Sequence, residues 1–389
     1  MSNKYRYIIL AMAIGAVAML GGCNKASKDE ATAMPEIVMN DPVKEEPAEE
    51  EDTLGDTMRN LDSEDALAYS EIPAADAEVE EEEPEIVEES SVKRTEDGKI
   101  IVDLIMFMGQ SNMSGTGGNP DYAPTVKEGH GYEFRAISDP TRLYPVTEPF
   151  GINENNPAAI KDAVIGKRGS LVSSFVNKYY EETGVPVVAV SASSGGTDTA
   201  FWMSAPVMAD FSERQKRAQV WLESNDYYIR KQYVVWLQGE SDALDVTTIE
   251  AYNQNMDNII RPLFIGGVQK VFIITPGRTL TDVDYFDDVI SAQLNMCKTS
   301  GYYALATTVL DMVSTEYMID EWHYNQTVLN VVGREAAESA AYYTNNRKEK
   351  CIFNYEHDSV FVPEGFEYTD DEMKAEPVDY NTNGEFKRY

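Results

Sequence analysis

The chain has 389 residues and is strongly acidic, with 67 Asp and Glu residues against 32 Lys and Arg and a net charge of −35 at pH 7. This charge argues against nucleic acid or an anionic membrane surface as a ligand, because both would be repelled. Neutral substrates such as sugars are not affected. The length suffices for two average domains or for one domain with long extensions.

Residues 1–23 have the pattern of a signal segment. Lys4 and Arg6 precede an apolar stretch that ends at Leu20, and this stretch is shorter than the roughly 20 apolar residues of a membrane span. The segment ends in LGGC, which resembles the lipobox of bacterial lipoproteins and implies that Cys23 is lipidated. The alternative is an ordinary cleaved signal peptide that contains a cysteine. We therefore expect a cell-envelope lipoprotein, held at the membrane only by its lipid, or a secreted protein.

Residues 24–98 form a strongly acidic segment. They contain 26 Asp and Glu residues against 6 Lys and Arg, in runs such as EEPAEEED and EVEEEEPEIVEE. A segment with so much charge and so few apolar side chains cannot offset the entropy that is lost on ordering. We predict a disordered tether here, and a second acidic extension at residues 351–389.

Cysteine and histidine are scarce in this chain. Cys297 lies on an apolar helical stripe, which favours a buried thiol, although a disulfide with Cys351 is compatible with an oxidising compartment. Three histidines are too few for a histidine-rich zinc site, and the sequence shows no cluster with metal-ligand spacing. We therefore predict neither a metal nor another cofactor.

Residues 99–350 alternate between strand-like and helix-like segments. Five apolar runs lack polar alternation, as strands buried on both faces of a parallel sheet do: KIIVDLIMFM, VPVVAVSAS, YVVWLQG, KVFIITP and YYALATTVL. Segments with helical spacing lie between them, including SLVSSFVNKYYEETG, IEAYNQNMDNII, a stretch at 206–224 and a last one after His323. This alternation predicts one α/β domain, a three-layer α/β/α sandwich with a five-stranded, mainly parallel sheet.

Residues 113–167 fit neither pattern and are rich in Gly, Pro, Asn and Tyr. A loop of this length in a compact domain is usually functional or disordered. Because the segment follows Ser111 almost directly, we expect part of it to form a wall of a substrate cleft.

Polar residues follow four of the predicted strands. Ser111 follows the first strand, the pair Gly195 and Gly196 the second and Gln238 the third, while the sequence DEWHYN follows the last. In open α/β sheets, ligands bind where the carboxyl ends of the strands meet their loops. We expect these groups to share one edge of the sheet.

The residue types in these motifs suit acyl transfer. A serine such as Ser111 becomes a nucleophile when an imidazole, here His323, accepts its proton, and a carboxylate such as Asp320 orients that imidazole. The oxyanion of the intermediate needs hydrogen-bond donors. The N–H of Ser111, an N–H of Gly195 or Gly196 and the side-chain amide of Gln238 are the candidates.

The same motifs resemble those of a known family. MGQSNMSG, SASSGGTDTAFW, WLQGESDA and DEWHYN are similar to four blocks of the sialate O-acetylesterase and acetylxylan esterase group of SGNH hydrolases, related to carbohydrate esterase family six. The resemblance covers residues 100–345. It implies a flavodoxin-like SGNH fold and an acetylated carbohydrate as substrate. It also implies the triad Ser111, His323 and Asp320, with Ser111, Gly196 and Gln238 around the oxyanion.

Two questions stay open at this point. Some members of the group are described with the Glu of the third block as the triad acid, so Glu240 competes with Asp320; local geometry favours Asp320, and Glu240 then braces the Ser111 loop. Three tryptophans, Trp202, Trp236 and Trp322, are candidates for stacking on sugars or for filling the core.

The function expected from this sequence is a carbohydrate O-acetylesterase that acts on a xylan-like polysaccharide or a sialic acid through a serine acyl-enzyme. The alternatives are an SGNH lipid esterase or thioesterase and a non-catalytic, glycan-binding surface lipoprotein.

Overall fold

The computed structural model describes residues 92–162, 166–354 and 359–360. The predicted signal segment with Cys23, nearly all of the predicted tether and most of the predicted C-terminal extension lie outside these residues. Within the described part of the chain, no helix has both the length and the apolar character that a membrane crossing requires.

The centre of the domain is a seven-stranded sheet. In the described residues its strands are β1 (Ile100–Gly109), β2 (Gly131–Phe134), β3 (Leu143–Pro145), β4 (Val187–Ser193), β5 (Tyr227–Leu237), β6 (Lys270–Ile274) and β7 (Tyr303–Thr307). Their order across the sheet is β3-β2-β4-β1-β5-β6-β7. Neighbouring strands are parallel except β2 and β3, which are antiparallel. The predicted α/β class with a mainly parallel sheet is confirmed.

The prediction of five strands was too low, because β2 and β3 lie inside residues 113–167, which we expected to be a loop. The two strands have only 4 and 3 residues, too few to show any hydrophobic periodicity. β2 forms by adding to the edge of β4, and β3 pairs in turn with β2. Their extended conformation therefore depends on tertiary pairing, which the local sequence does not reveal.

Helices cover both faces of the sheet. In the described residues they are α1 (Ser111–Ser114), α2 (Val172–Thr183), α3 (Thr199–Trp202), α4 (Ala205–Ser224), α5 (Glu240–Leu244), α6 (Ile249–Ile265), α7 (Asp287–Thr299), α8 (Val309–Met312) and α9 (Gln326–Asn346). The apolar sides of α2 and α9 pack on one face, and those of α4, α6 and α7 on the other. The result is the predicted three-layer sandwich.

The central strand β1 shows why the apolar runs contain no polar alternation. Ile105 and Phe107 belong to the core beside α2 and α9, whereas Leu104 and Met106 belong to the core on the opposite face. Successive side chains of a strand point to opposite faces, so a strand covered on both faces carries mostly apolar residues on both of them.

The strand order around β1 brings the sequence motifs together. β4 lies on one side of β1 and β5 on the other. The chain therefore reverses its direction of winding at β1, which makes the carboxyl end of this strand a topological switch point. Such points open a crevice between the loops that leave the neighbouring strands. Ser111 stands at that crevice.

Residues just before the predicted domain boundary at residue 99 contact the domain. The N–H of Ile101 donates to the carbonyl of Lys93 at 2.9 Å, and the Lys93 ammonium donates to the carbonyl of Thr183 at 2.8 Å. Residues 92–98 therefore pack on the domain. At the other end, β8 (Phe353–Asn354) and β9 (Ser359–Val360) form a short antiparallel pair.

The two cysteines of the domain are free thiols. Cys297 is buried, as its helical stripe predicted, and Cys351 is exposed. Burial raises the pKa of the Cys297 thiol, so this side chain is a core residue rather than a nucleophile.

Candidate active site

Ser111 lies where the chain turns sharply at the end of β1. Gly109 pairs with Leu237 of β5, and its φ is +145°. A Cβ at this position would lie 1.9 Å from the carbonyl oxygen of Leu237, so only glycine allows the strands to approach so closely. The turn that follows places the partly exposed Ser111 at the first position of α1.

Asp320 and His323 form a close pair in the loop before α9. His323 Nδ1 lies 2.9 Å from Asp320 Oδ1 and 2.8 Å from Oδ2. Burial acts to raise the pKa of Asp320, but the hydrogen bonds from His323 and from the Trp322 N–H outweigh it, and the pKa lies below its ordinary value. An ionised Asp320 accepts a hydrogen bond from the Nδ1–H of His323, and in this tautomer Nε2 can accept a proton.

Asn112 connects the Ser111 turn to the His323 loop. Its Nδ2 donates to the carbonyl of Trp322 at 3.1 Å, and its Oδ1 accepts from the N–H of Tyr324 at 3.5 Å. Trp322 and Tyr324 flank His323 on either side. The residue next to Ser111 therefore holds both chain neighbours of the imidazole, and this brings the predicted nucleophile and base to the same crevice.

Glu240 is the third group that Asn112 contacts. The Glu240 side chain is buried, and its Oε1 accepts from Asn112 Nδ2 at 2.8 Å. With the Gln110 amide oriented so that its nitrogen faces acceptors, that nitrogen donates to Glu240 Oε2 at 3.1 Å and to the carbonyl of Thr197 at 3.3 Å. Burial raises the pKa of Glu240, while the Asn112 hydrogen bond opposes this shift. Glu240 thus braces the Ser111 turn, and the position beside His323 Nδ1 is occupied by Asp320.

Gly117 lies directly against the His323 loop. A Cβ at Gly117 would lie 2.2 Å from the carbonyl oxygen of Tyr324 and 2.9 Å from His323 Cβ. Any side chain here would displace the imidazole, so the close approach of these two loops depends on glycine.

The turn at Gly195 and Gly196 lies on the opposite side of Ser111. A Cβ at Gly195 would lie 3.5 Å from Ser111 Cβ, which places the turn in contact with the serine. The Gly195 N–H donates to Asp162 Oδ1 at 2.5 Å. Gly196 is exposed with φ +68°, and within the described residues its N–H has no hydrogen-bond acceptor. Of the two glycines, Gly196 is therefore the one whose N–H is available to a ligand.

Gln238 does not fit the oxyanion role that we predicted for it. The side chain is fully buried, and its Nε2 donates to Thr197 O at 3.0 Å and to Asp242 Oδ2 at 2.5 Å. Its Oε1 accepts from the Tyr252 hydroxyl at 3.1 Å. Because both amide hydrogens are used inside the protein, the side chain has no donor for an oxyanion; it links the loops after β4 and β5 instead.

Two of the three tryptophans proposed to stack on sugars are core residues. Trp202 and Trp236 are fully buried and pack edge to face, with ring centroids 5.2 Å apart. Trp322 is partly exposed beside His323 and packs edge to face on Tyr285, with centroids 5.8 Å apart. Tyr285 is itself 39% exposed. Of the three tryptophans, Trp322, the chain neighbour of His323, is therefore the one that a ligand can reach, together with the ring of Tyr285.

The sequence motifs did not identify Asn112, Gly117 and Asp162 as site residues. Asn112 lies inside the block MGQSNMSG, and Gly117 belongs to a glycine pair six residues after Ser111. The sequence near Ser111 could therefore have pointed to both residues. Asp162 lies in a segment without periodicity, and its partners are distant along the chain. Only the folded structure shows its contact with Gly195.

Taken together, the crevice contains a serine hydroxyl, an imidazole with an oriented Nδ1–H and the free N–H of Gly196. This combination suits nucleophilic attack on an ester carbonyl. In residues 92–162, 166–354 and 359–360, no group of three or more His, Cys, Asp or Glu side chains is arranged to hold a metal ion.

Several solved structures are similar to this chain at low sequence identity. NanS is 12% identical over 64% of this chain and 98% of its own, with a TM-score of 0.46. A protein of Arabidopsis thaliana is 21% identical over 63% and 99%, with a TM-score of 0.45. A carbohydrate acetylesterase of Xanthomonas citri is 15% identical over 64% and 58%, with a TM-score of 0.43. Among curated proteins, nothing matches this chain.

Comparison with protein families gave the decisive match. Residues 101–341 match the family described as carbohydrate esterase, sialic acid-specific acetylesterase. This range contains every residue of the crevice described above, from the Ser111 turn to the His323 loop. The predicted family and the predicted activity, carbohydrate O-acetylesterase, are confirmed. Because the match spans more than half of the sequence, the chain belongs to the carbohydrate esterase family of sialic acid-specific acetylesterases.

Proposed function

We propose that this chain removes acetyl groups from carbohydrates through a serine acyl-enzyme, with Ser111 as nucleophile, His323 as general base and acid, and Asp320 as the orienting carboxylate. One observation carries this proposal: Asn112, the residue after Ser111, hydrogen-bonds both chain neighbours of His323, whose Nδ1 lies 2.8 Å from Asp320. This hydrogen bonding supports a site in which a serine, a base and its orienting acid act at one crevice.

The first half of the reaction forms the acyl-enzyme. The Ser111 hydroxyl attacks the acetyl carbonyl while His323 Nε2 takes the hydroxyl proton, and Asp320 stabilises the imidazolium that results. The N–H groups of Ser111 and Gly196 donate to the oxyanion of the tetrahedral intermediate. When this intermediate collapses, the C–O bond to the sugar breaks, and His323 gives its proton to the departing sugar oxygen.

The second half releases acetate. Water takes the place of the sugar, loses a proton to His323 and attacks the acetyl-serine carbonyl. The second tetrahedral intermediate expels the Ser111 oxygen, which recovers its proton from His323. The enzyme returns to its starting state, and the net reaction is hydrolysis of one ester bond.

The sugar is proposed to lie against Trp322 and Tyr285. Both rings are exposed at least in part, and Trp322 is the chain neighbour of His323, which must give its proton to the leaving alcohol. Aromatic faces suit the C–H faces of sugar rings, because they exclude water over a broad apolar area. The polar character of the segment that follows Ser111 also fits a glycan better than a long acyl chain.

The cellular location is proposed from the N-terminal sequence: the mature chain is anchored outside the cytoplasm by lipid at Cys23, with residues 24–91 as a tether. Metabolic labelling with a radioactive fatty acid tests this directly. Labelled wild-type protein and unlabelled Cys23→Ala would support the anchor, whereas a labelled variant or an unlabelled wild type would exclude it.

The chemistry is tested by acetate release from acetylated xylan, O-acetylated sialic acid and p-nitrophenyl acetate. We expect Ser111→Ala to lose activity by at least about 10³-fold on every active substrate, because the acyl-enzyme cannot form. Ser224→Ala, which removes an exposed hydroxyl at the end of α4, serves as the matched control.

Mass spectrometry after treatment with a serine-reactive phosphonate should place the adduct on Ser111. Undiminished acetate release by Ser111→Ala, or an adduct at another serine, would refute the nucleophile assignment. A preference for long-chain esters over acetyl esters would instead indicate a lipid esterase.

A further inference from the structure

A buried ion pair lies behind the glycine turn and takes no part in the mechanism described above. Lys167 Nζ is 3.3 Å from Asp162 Oδ2, and the two side chains are only 2% and 3% exposed. Lys167 also donates to Ser193 Oγ at 2.7 Å, at the end of β4. Burial lowers the pKa of Lys167, and the Asp162 charge opposes this shift.

The ion pair is connected to both walls of the crevice. Asp162 Oδ1 accepts from the Gly195 N–H at 2.5 Å, and Asp162 Oδ2 accepts from the Ser114 hydroxyl. Ser114 is the last residue of α1, the short helix that begins at Ser111. One carboxylate thus fixes the glycine turn relative to the helix that carries the nucleophile.

Asp162 is also close enough to affect the charge that develops during the reaction. A Cβ at Gly195 would lie 3.1 Å from Asp162 Oδ1 and 3.5 Å from Ser111 Cβ. The carboxylate is therefore within about 7 Å of Ser111 Cβ, a distance at which two charges near a protein surface still interact appreciably. Alone, it would repel the oxyanion. The positive charge of Lys167 on its other oxygen offsets that repulsion.

We propose that Asp162 and Lys167 are a positioning pair for the oxyanion hole: Asp162 fixes the Gly195 amide so that the Gly196 N–H faces the substrate, and Lys167 neutralises the carboxylate that does so. This inference rests on the proposed role of Gly196 and goes beyond it, because it assigns a function to two buried charges that do not touch the reacting atoms.

Three variants separate the two roles. Asp162→Ala removes the acceptor of the Gly195 N–H. Lys167→Met leaves the carboxylate uncompensated. The double variant Lys167→Met with Asp162→Asn keeps a neutral acceptor for Gly195. We expect kcat for p-nitrophenyl acetate to fall by about 10- to 100-fold in both single variants, with KM little changed, because a misplaced oxyanion-hole donor costs less than the roughly 10²- to 10³-fold of a donor that is lost outright. In the double variant, kcat should recover at least about 5-fold relative to Lys167→Met, since the unpaired charge is gone.

A boronic acid provides a second measurement, because it forms a tetrahedral anion on the serine hydroxyl and thus resembles the intermediate. Its inhibition constant should rise in parallel with the loss of kcat. The matched control is Lys270→Met. Lys270 is equally buried and paired with Glu349, but it lies at the start of β6, at the end of the sheet away from the crevice. This control should lower the melting temperature and leave kcat and boronate affinity unchanged.

The proposal is overturned if folded Asp162 and Lys167 variants keep wild-type kcat and boronate affinity, or if only their KM or melting temperature changes. It is also overturned if the double variant is no more active than Lys167→Met. Should Lys167→Met fail to fold, Asp162→Ala and the double variant still compare a site without an acceptor for the Gly195 N–H with one that keeps a neutral acceptor. If Ser111→Ala retains activity, the proposed function fails instead, so the two failures are distinguishable.

Discussion

At the scale of single residues, the crevice is organised by one amide side chain. Asn112 reaches Glu240, Trp322 and Tyr324, and these belong to two loops that are distant from Asn112 along the chain. From the sequence, the resemblance left Glu240 as an alternative to Asp320 for the triad acid. In the structure, Asp320 is hydrogen-bonded to His323 Nδ1 and Glu240 to Asn112 Nδ2. Variants of the two carboxylates should therefore differ in activity.

The first prediction concerns the triad acid. Asp320→Asn should lower kcat by about 10³- to 10⁴-fold with little change in KM, because an amide neither holds the required His323 tautomer nor stabilises the imidazolium. Glu240→Gln keeps the shape of a side chain that contacts Asn112 rather than His323 Nδ1, so its loss of kcat should be at least tenfold smaller. Steady-state kinetics on p-nitrophenyl acetate measure both. The reverse order would make Glu240 the triad acid.

A second prediction at this scale concerns Gly117. Gly117→Ala should reduce kcat by at least about tenfold, because its Cβ would meet Tyr324 O and His323 Cβ at 2.2 and 2.9 Å and force the imidazole aside. Gly301→Ala is the matched control, since a Cβ there meets nothing within 4 Å. Equal kcat of the two variants would show that the His323 loop can move away from residue 117 without loss of activity.

At the scale of elements, the His323 loop is supported by the segment between β6 and α7. The N–H of Leu280 donates to the carbonyl of Glu321 at 3.1 Å, and the Thr281 hydroxyl donates to the Glu321 carboxylate at 2.5 Å. The start of α7 adds several carboxylates close together. Burial, and then the neighbouring Asp284, Asp311, Asp288 and Asp282, raises the pKa of Asp287 to about 6.

A prediction about pH follows from this raised pKa. The folded state binds the Asp287 proton more tightly than the unfolded state, so the contribution of this group to stability is largest below about pH 4 and is lost as the pH rises to about 6. Asp287→Asn should abolish this loss of stability, because an amide does not ionise as the pH rises. We expect it to raise the melting temperature by about 2 °C or less at pH 8 and to have no effect at pH 4, since solvent screens this half-exposed group.

Differential scanning calorimetry at the two pH values measures this change. Asp245→Asn, which alters an exposed carboxylate outside the acidic group, is the control. An equal effect of Asp287→Asn at both pH values would show that its charge is not the cause.

At the scale of the whole molecule, the proposed catalytic residues all belong to the predicted esterase domain, residues 99–350. Residues 92–98 pack on that domain, whereas the predicted signal segment and the acidic residues after it precede it. The acidic segment therefore has no assigned part in the chemistry, and its proposed role is to set the distance between anchor and enzyme.

The last prediction is that a chain starting at residue 92 keeps the kcat and KM of the full chain on soluble esters. It should also be recovered in the soluble fraction of cells that otherwise hold the protein at a membrane. Kinetics and cell fractionation test these two outcomes separately. A large loss of kcat would mean that the preceding residues contribute to the site.

Much of the site could be predicted because its motifs follow strands whose apolar character is continuous and unmistakable. The five long runs located the core of the sheet, and strand order then brings their carboxyl ends together. The short strands β2 and β3 were missed because pairing, of β2 with β4 and of β3 with β2, makes them extended, and the local pattern does not. The role of Gln238 was misassigned for a similar reason, as its partners Thr197 and Asp242 belong to loops that meet only in the fold.

By itself, therefore, the sequence determined the α/β class, the family and the residue types needed for acyl transfer, because these depend on periodicity and on short contiguous motifs. Only the tertiary structure decided which amide has a free N–H, which carboxylate faces His323, and which tryptophans are exposed. Each of these is a question of hydrogen bonding or burial between segments far apart along the chain, and such contacts exist only after the chain has folded.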